Sequence, residues 1–191
     1  MLIGNREFDV FNETYICAVL NVTPDSFFDG GKYSNIDACL LHCEKLINDG
    51  ADLVDLGGES TRPGATALPV EEELERVLPC VEAIKSNFDV PISIDTYKSR
   101  VAEKCIELGA DMINDISGFK ADAKMAEVVS KAKVPCCIMH NGVGKKYVDF
   151  YGEYITEINE SLEIAKNAGV DTGKIILDQE WFGFNLCQYL N

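Results

Sequence analysis

Strand, loop and helix patterns alternate along the 191 residues, the strand segments are apolar without alternation, and each closes on a polar residue. These three observations predict an α/β fold on a parallel sheet, of the TIM-type (β/α)8 barrel class but incomplete, with about six parallel strands. Parallel strands need long crossovers, and the helices between these segments supply them.

The first strand is ICAVLN at 16–21, followed by a polar, Gly-rich loop and an amphipathic helix over 35–48. The unit then recurs. ADLVDLGG at 51–58 precedes a helix over 71–87, VPISID at 90–95 a helix ending at 108, and ADMIND at 110–115 a helix over 122–132. VPCCIM at 134–139 leads to a helix over 154–168, and KIILD at 174–178 is the sixth strand. Gly50-Ala-Asp-Leu-Val-Asp and Gly109-Ala-Asp-Met-Ile-Asn repeat one solution, a glycine in a left-handed helix cap opening a strand.

Asn21, Asp55, Asp95, Asn114 with Asp115, His140 and Asp178 finish the strands. A barrel gathers such ends around one mouth, whereas an open sheet spreads six strands over about 25 Å. Eight βα units typically take about 250 residues, so two units are missing from the pattern. The expectation is one domain over 1–191, truncated after strand six, whose bare first and last strands favour pairing with another copy, hence a homo-oligomer.

With 47% hydrophobic and 26% charged residues, the chain can bury a core without disulfides. The eight cysteines form no C-x-x-C pair, and no basic-then-apolar leader precedes them, so they read as reduced, mostly buried and cytoplasmic. Cys39, His42 and Cys43 lie on an amphipathic helix without a second ligand pair and read as core filling rather than a metal site. No apolar run approaches the ~20 residues of a membrane span. The net charge of −15, with Lys and Arg clustering no further than pairs, argues against nucleic acid. An acidic protein handling an anion needs a metal ion or a few placed cations.

Three groups of rim residues carry chemistry. LNVTPDSFFDGG at 20–31 offers Asn21, Asp25 and Asp29, hard oxygen ligands of the kind Mg²⁺ prefers; an Asx-rich turn with solvated carboxylates is the bland alternative. GGESTRPG at 57–64 combines close backbone N–H groups with the Thr61 hydroxyl and the Arg62 cation, which suits an anion or an aromatic acid and also describes an ordinary turn. Asp95, Asn114 and Asp178 end buried strands, where polar groups are costly unless paired. The strands supply no cation, and Lys98 and Arg100 fall on the following helix, so a ligand with several donors fits better than an ion pair. A 2-amino-4-oxo pteridine carries a donor pair that one carboxylate can accept in parallel. Asp178 suits that role, with Asn114 able to give and accept.

LNVTPDSFFDGG, DLGGESTRPGA, ISIDTYK, INDISG and IMH, in this order and spacing, resemble dihydropteroate synthase from about 16 to 178. The resemblance implies a (β/α)8 barrel that joins 6-hydroxymethyl-7,8-dihydropterin pyrophosphate to 4-aminobenzoate, releasing pyrophosphate and giving 7,8-dihydropteroate for folate. It further implies that Mg²⁺ assists departure of the pyrophosphate, with Asn21 and Asp29 at the metal. Asp95, Asn114 and Asp178 would hold the pterin with Met139 against its ring, and Thr61 and Arg62 would approach the pyrophosphate and the aminobenzoate. No side-chain nucleophile is required, and His140 is assigned a structural or ring-packing role rather than that of a base.

At the end of the sixth strand the family reads Asp-Pro-Gly, whereas here Asp178 is followed by QEWFGFNLCQYLN. The later strands that carry a pterin-contacting Lys and a phosphate-binding Arg and His have no counterpart. A reading-frame slip, a shortened chain and a natural short relative all produce such a break. Low synthase activity of the 191 residues alone is therefore expected, and a non-catalytic pterin-binding or partner-completed protein of the same fold is the alternative. A pterin-dependent methyltransferase barrel ranks below both, having no need of LNVTPDSFFDGG.

Overall fold

The computed structural model describes residues 1–23, 35–60, 67–141 and 147–178. Among the described residues there are eight strands: β1 (Leu2–Ile3), β2 (Arg6–Glu7), β3 (Cys17–Asn21), β4 (Leu53–Gly57), β5 (Ile92–Asp95), β6 (Met112–Asp115), β7 (Cys136–Met139) and β8 (Ile175–Asp178). The helices are α1 (Asn35–Asn48), α2 (Val70–Asn87), α3 (Ser99–Glu107), α4 (Met125–Ala132) and α5 (Phe150–Ala168). β3 to β8 form one parallel sheet in sequential order. A doubly wound sheet would reverse its order partway along; this one does not, and it is an incomplete (β/α) barrel.

Register assigns the two faces. Val19, Asp55, Ser93 and Met112 lie side by side in one row, and Asn21, Gly57, Asp95, Asn114 and Cys137 in the next. Partners in a parallel register share a face, so both rows line the inside of the arc. The intervening residues, among them Leu20, Val54, Leu56, Ile92, Ile94, Ile113, Cys136 and Ile138, pack outward against the helices in the main core. The apolar strands are therefore two-faced, with helix-packing residues outside and, apart from Asp115 at the outer end of β6, the polar strand-end residues on the inner face.

The sequence reading had no element before residue 16, but a hairpin lies there. β1 and β2 pair with Leu2 opposite Glu7 and Ile3 opposite Arg6, leaving Gly4-Asn5 as a two-residue turn with Gly4 at φ 62°. A Cβ on Gly4 would stand 2.6 Å from Asp111 Oδ1, so the turn needs glycine for space as well. The hairpin brings Ile3 and Phe8 against Leu53 and Met112, a second core that plugs the N-terminal end of the arc. Polar chemistry is left to the other end.

Two helix starts moved. α4 begins at 125 rather than 122 because the Asp122 carboxylate accepts from Ser99 N (2.9 Å) at the start of α3 and from Lys124 N (3.0 Å). α5 begins a turn early because Asp149 accepts from Gly152 N while Glu153 reaches back to the N–H groups of Val148 and Asp149. Gly50 and Gly109 have the positive φ their caps require, 104° and 98°. Cys39, Cys43, Cys80, Cys105 and Cys136 are buried, Cys137 half-buried and Cys17 exposed. No helix among the described residues is long and apolar enough to cross a membrane.

Candidate functional site

The inner rim is built from strand ends. Asp95 and Asn114 are register partners on β5 and β6, so their side chains leave the sheet one strand apart. Met139 and Asp178 pair on β7 and β8, one inner-face row further along than Cys137, which lies beside Asn114. Asp95, Asn114, Met139 and Asp178 thus share the same face and end, as the sequence predicts. Asn21 stands in the row of Asp95, separated from it by Gly57. A Cβ at Gly57 would lie 3.0 Å from Asn21 Oδ1 and 3.4 Å from Asp95 Oδ2, so glycine keeps a gap open between two side-chain oxygens. Asp25, Asp29, Thr61 and Arg62 lie outside the described residues.

The rim has more acceptors than donors. Asn114 Nδ2 donates to Asp55 Oδ2 at 3.0 Å. Asp55 Oδ1, Asp95 Oδ1, Asn114 Oδ1 and Ser93 Oγ are buried without a hydrogen-bond partner. Such atoms are rare in folded proteins and here point to a ligand that donates. Burial, then the nearby charges of Asp55, Glu73, Asp115 and Glu59, pushes the Asp95 carboxyl up to about 8. Burial likewise raises Asp55 against the hydrogen bond from Asn114, which lowers it, and the charge of Asp178 adds to the rise. Asp178 also raises Cys137 and Tyr154, in each case after burial.

Lys98 and Arg100, the cations that follow β5, are engaged elsewhere. Lys98 Nζ donates to both Glu59 and Glu73, with Thr96 Oγ1 on Glu73 (2.7 Å) and Tyr97 OH on Glu59 (2.8 Å). Burial works to lower Lys98, but the two carboxylates win and hold it above the ordinary lysine range. Arg100 pairs with Glu71 at the surface. Glu59 also accepts from Leu68 N (3.2 Å), which ties residues 59 and 68 together across the Ser-Thr-Arg-Pro-Gly segment. This network escaped the sequence reading, which found only that lysine and arginine follow the strand.

Two strand-end residues have structural partners instead. Asp115 falls on the outer face and accepts from Ser117 N, Ser117 Oγ and Phe119 N at 2.7–3.0 Å, fixing the turn after β6. His140 is buried between Tyr147 OH (3.1 Å) and Glu157 Oε2 (3.2 Å), with the Tyr154 ring 5.1 Å away. Asp55 is the rim residue whose part the sequence reading left unassigned; the visible signal was its place two residues before Gly57 on the same strand face.

Residues 17–186 match the family model described as pterin binding enzyme. Dihydropteroate synthase of Clostridium beijerinckii is 51% identical over 178 residues, covering 93% of this chain and 66% of that protein. The Bacillus subtilis enzyme of the same name is 49% identical over 166 residues, covering 87% and 58%. The crystal structure of a Clostridium difficile dihydropteroate synthase in the presence of pteroic acid superposes with a TM-score of 0.90 at 44% identity, over 96% of this chain and 71% of that one. A Xanthomonas albilineans dihydropteroate synthase with 4-aminobenzoic acid gives 0.84 at 40% identity, over 91% and 63%. The chain spans about three-fifths to two-thirds of these two curated relatives' length.

Proposed function

The chain belongs to the pterin binding enzyme family, and on that premise we propose that its inner rim takes a reduced pterin for the dihydropteroate synthase reaction. The observation that carries the reading is the set of buried, partnerless acceptors on Asp55, Asp95 and Asn114. A pterin edge, rich in N–H donors, supplies what those atoms lack. In this reading Asp95, Asn114 and Asp178 hold the heterocycle, Met139 packs on its ring, and Thr61 and Arg62 face the pyrophosphate and 4-aminobenzoate.

In the reaction, the bond from the exocyclic methylene to oxygen breaks and pyrophosphate leaves with the electron pair. The aniline nitrogen then bonds to that carbon and loses a proton. The ring nitrogens spread the positive charge that develops, and carboxylates beside them favour it. The rim residues orient the methylene toward the amine, and neither Asp115 nor His140 is needed as a nucleophile. Asn21 Oδ1 at the edge of the Gly57 gap is an oxygen of the kind Mg²⁺ takes, an ion that commonly binds one or two protein oxygens and completes its shell with phosphate and water; Asp29, outside the described residues, would be the second. When bound, the ion would neutralise charge on the leaving pyrophosphate.

From its free, mostly buried cysteines and a sheet that ends on β3 and β8, we further propose a cytoplasmic, self-associating chain. A second reading, a pterin-binding protein completed by a partner, draws on the inner face of β3, where Val19 is 58% exposed. The test is calorimetry with 6-hydroxymethylpterin and then a dihydropteroate assay with Mg²⁺, pterin pyrophosphate and 4-aminobenzoate. One pterin per chain is expected, with turnover well below that of a full-length family member. No pterin binding would remove the proposal, and pterin binding without any turnover would favour the second reading.

A further inference from the structure

We infer that Asp55 is a positioning residue that fixes the Asn114 side-chain amide, so that its carbonyl oxygen faces the ligand and selects for an N–H donor there. The inference rests on the reading that the rim takes a pterin, and it assigns a role to a residue that reading leaves unused.

An asparagine amide offers two edges that differ by a half-turn, and little but its partners decides between them. Here the partner is a carboxylate. Asn114 Nδ2 lies 3.0 Å from Asp55 Oδ2, and with Asp55 ionised the flipped amide would set two acceptor oxygens against each other at that distance. Asp55 is 6% exposed and sits in register with Ser93, so it has little room to turn away. The bond joins β4 to β6 beneath Asp95 and spans the strand between them. It uses one of the two Nδ2 hydrogens. Asn114 Oδ1, buried and without a partner, is thereby held as an acceptor.

A fixed acceptor discriminates by what it rejects. A ligand with N–H at that point satisfies it, whereas one with a carbonyl oxygen leaves two acceptors opposed in a buried site. A pterin carries a 2-amino group; its 2-oxo counterpart carries oxygen at the same position. The wild-type chain should prefer the pterin by about tenfold or more. Asp55→Asn keeps the volume of the side chain but lets either amide give or accept, so Asn114 can present either edge.

The experiment has two arms on the 191-residue chain. Calorimetry compares 6-hydroxymethylpterin with its 2-oxo counterpart, on the wild type and on Asp55→Asn. The preference should fall from about tenfold or more to about threefold or less, and a preference unchanged by the substitution overturns the inference. The second arm needs no ligand and no variant that must fold: hydrogen exchange at the Asn114 side-chain amide of the wild type. One Nδ2 hydrogen is held on Asp55 and the other faces the open rim, so the first should exchange about tenfold or more slowly; equal rates overturn the inference. A chain with split exchange that binds no pterin keeps the positioning role of Asp55 and removes the pterin reading instead.

Discussion

Lys98 reaches from the start of α3 to Glu73 on α2, a carboxylate that is only 1% exposed, while its ammonium also meets Glu59. One buried cation therefore serves two buried anions. Removing it leaves both carboxylates without their countercharge, and such losses typically cost about 3–5 kcal/mol. Lys98→Met should destabilise the chain by that order in chemical denaturation. Adding Glu73→Gln should recover part of the loss, because one uncompensated charge goes with it. Equal stabilities of wild type and Lys98→Met would mean that the network contributes nothing.

Asp95 gives a pH-dependent prediction. Its carboxyl is raised to about 8, chiefly by burial and then by neighbouring acids, so the folded chain holds a proton that the unfolded chain releases near 4. For an acid shifted upward, wild-type stability falls as pH rises between those two values and levels off above the folded one. Asp95→Asn, which never ionises, should melt at the same temperature as the wild type near pH 4 and gain an advantage that grows up to about pH 8. Solvent access limits the gain to roughly 1–4 kcal/mol. A melting difference that does not vary with pH would show that Asp95 ionises freely in the folded state.

Gly57 separates Asn21 from Asp95. Gly57→Ala would place a methyl group 3.0 Å from Asn21 Oδ1 and 3.4 Å from Asp95 Oδ2. The gap closes, and pterin affinity measured by calorimetry should drop by about tenfold or more, since misplacing a binding group costs on the order of 1–2 kcal/mol. Unaltered affinity would place the ligand elsewhere.

Much of this was readable in the chain. The six strand segments and their polar ends, with Asp95, Asn114 and Asp178 on one rim, follow from apolar runs punctuated by acids and amides, whereas Met139 came from the resemblance alone. The hairpin of Leu2–Ile3 and Arg6–Glu7 did not, because two-residue strands show no periodicity and only Gly4-Asn5 marks the turn. The starts of α4 and α5 depended on where the carboxylates of Asp122 and Asp149 bind, and one of those bonds crosses to another helix. Asp55 looked like one more acid at a strand end. Its bond to Asn114 spans 59 positions and emerges only once β5 is laid between their strands.

Asp115 separates a structural acid from the rim acids. Asp115→Ala removes the acceptors for Ser117 and Phe119, where Gly118 and Phe119 both hold positive φ (61° and 67°). Loss of that turn should cost about 2–4 kcal/mol in denaturant unfolding. Pterin affinity of the remaining folded chain should stay within about threefold of wild type. A large loss of affinity with unchanged stability would move Asp115 into the site.

The acceptor-rich rim is tested most directly by titrating 6-hydroxymethylpterin into the wild-type chain, Asp95→Ala and Asp178→Ala in a calorimeter. The prediction is one site per chain for the wild type, with affinity reduced by about tenfold or more in each variant. A wild type that takes up no pterin, or variants that bind it as well as the wild type, would contradict the account.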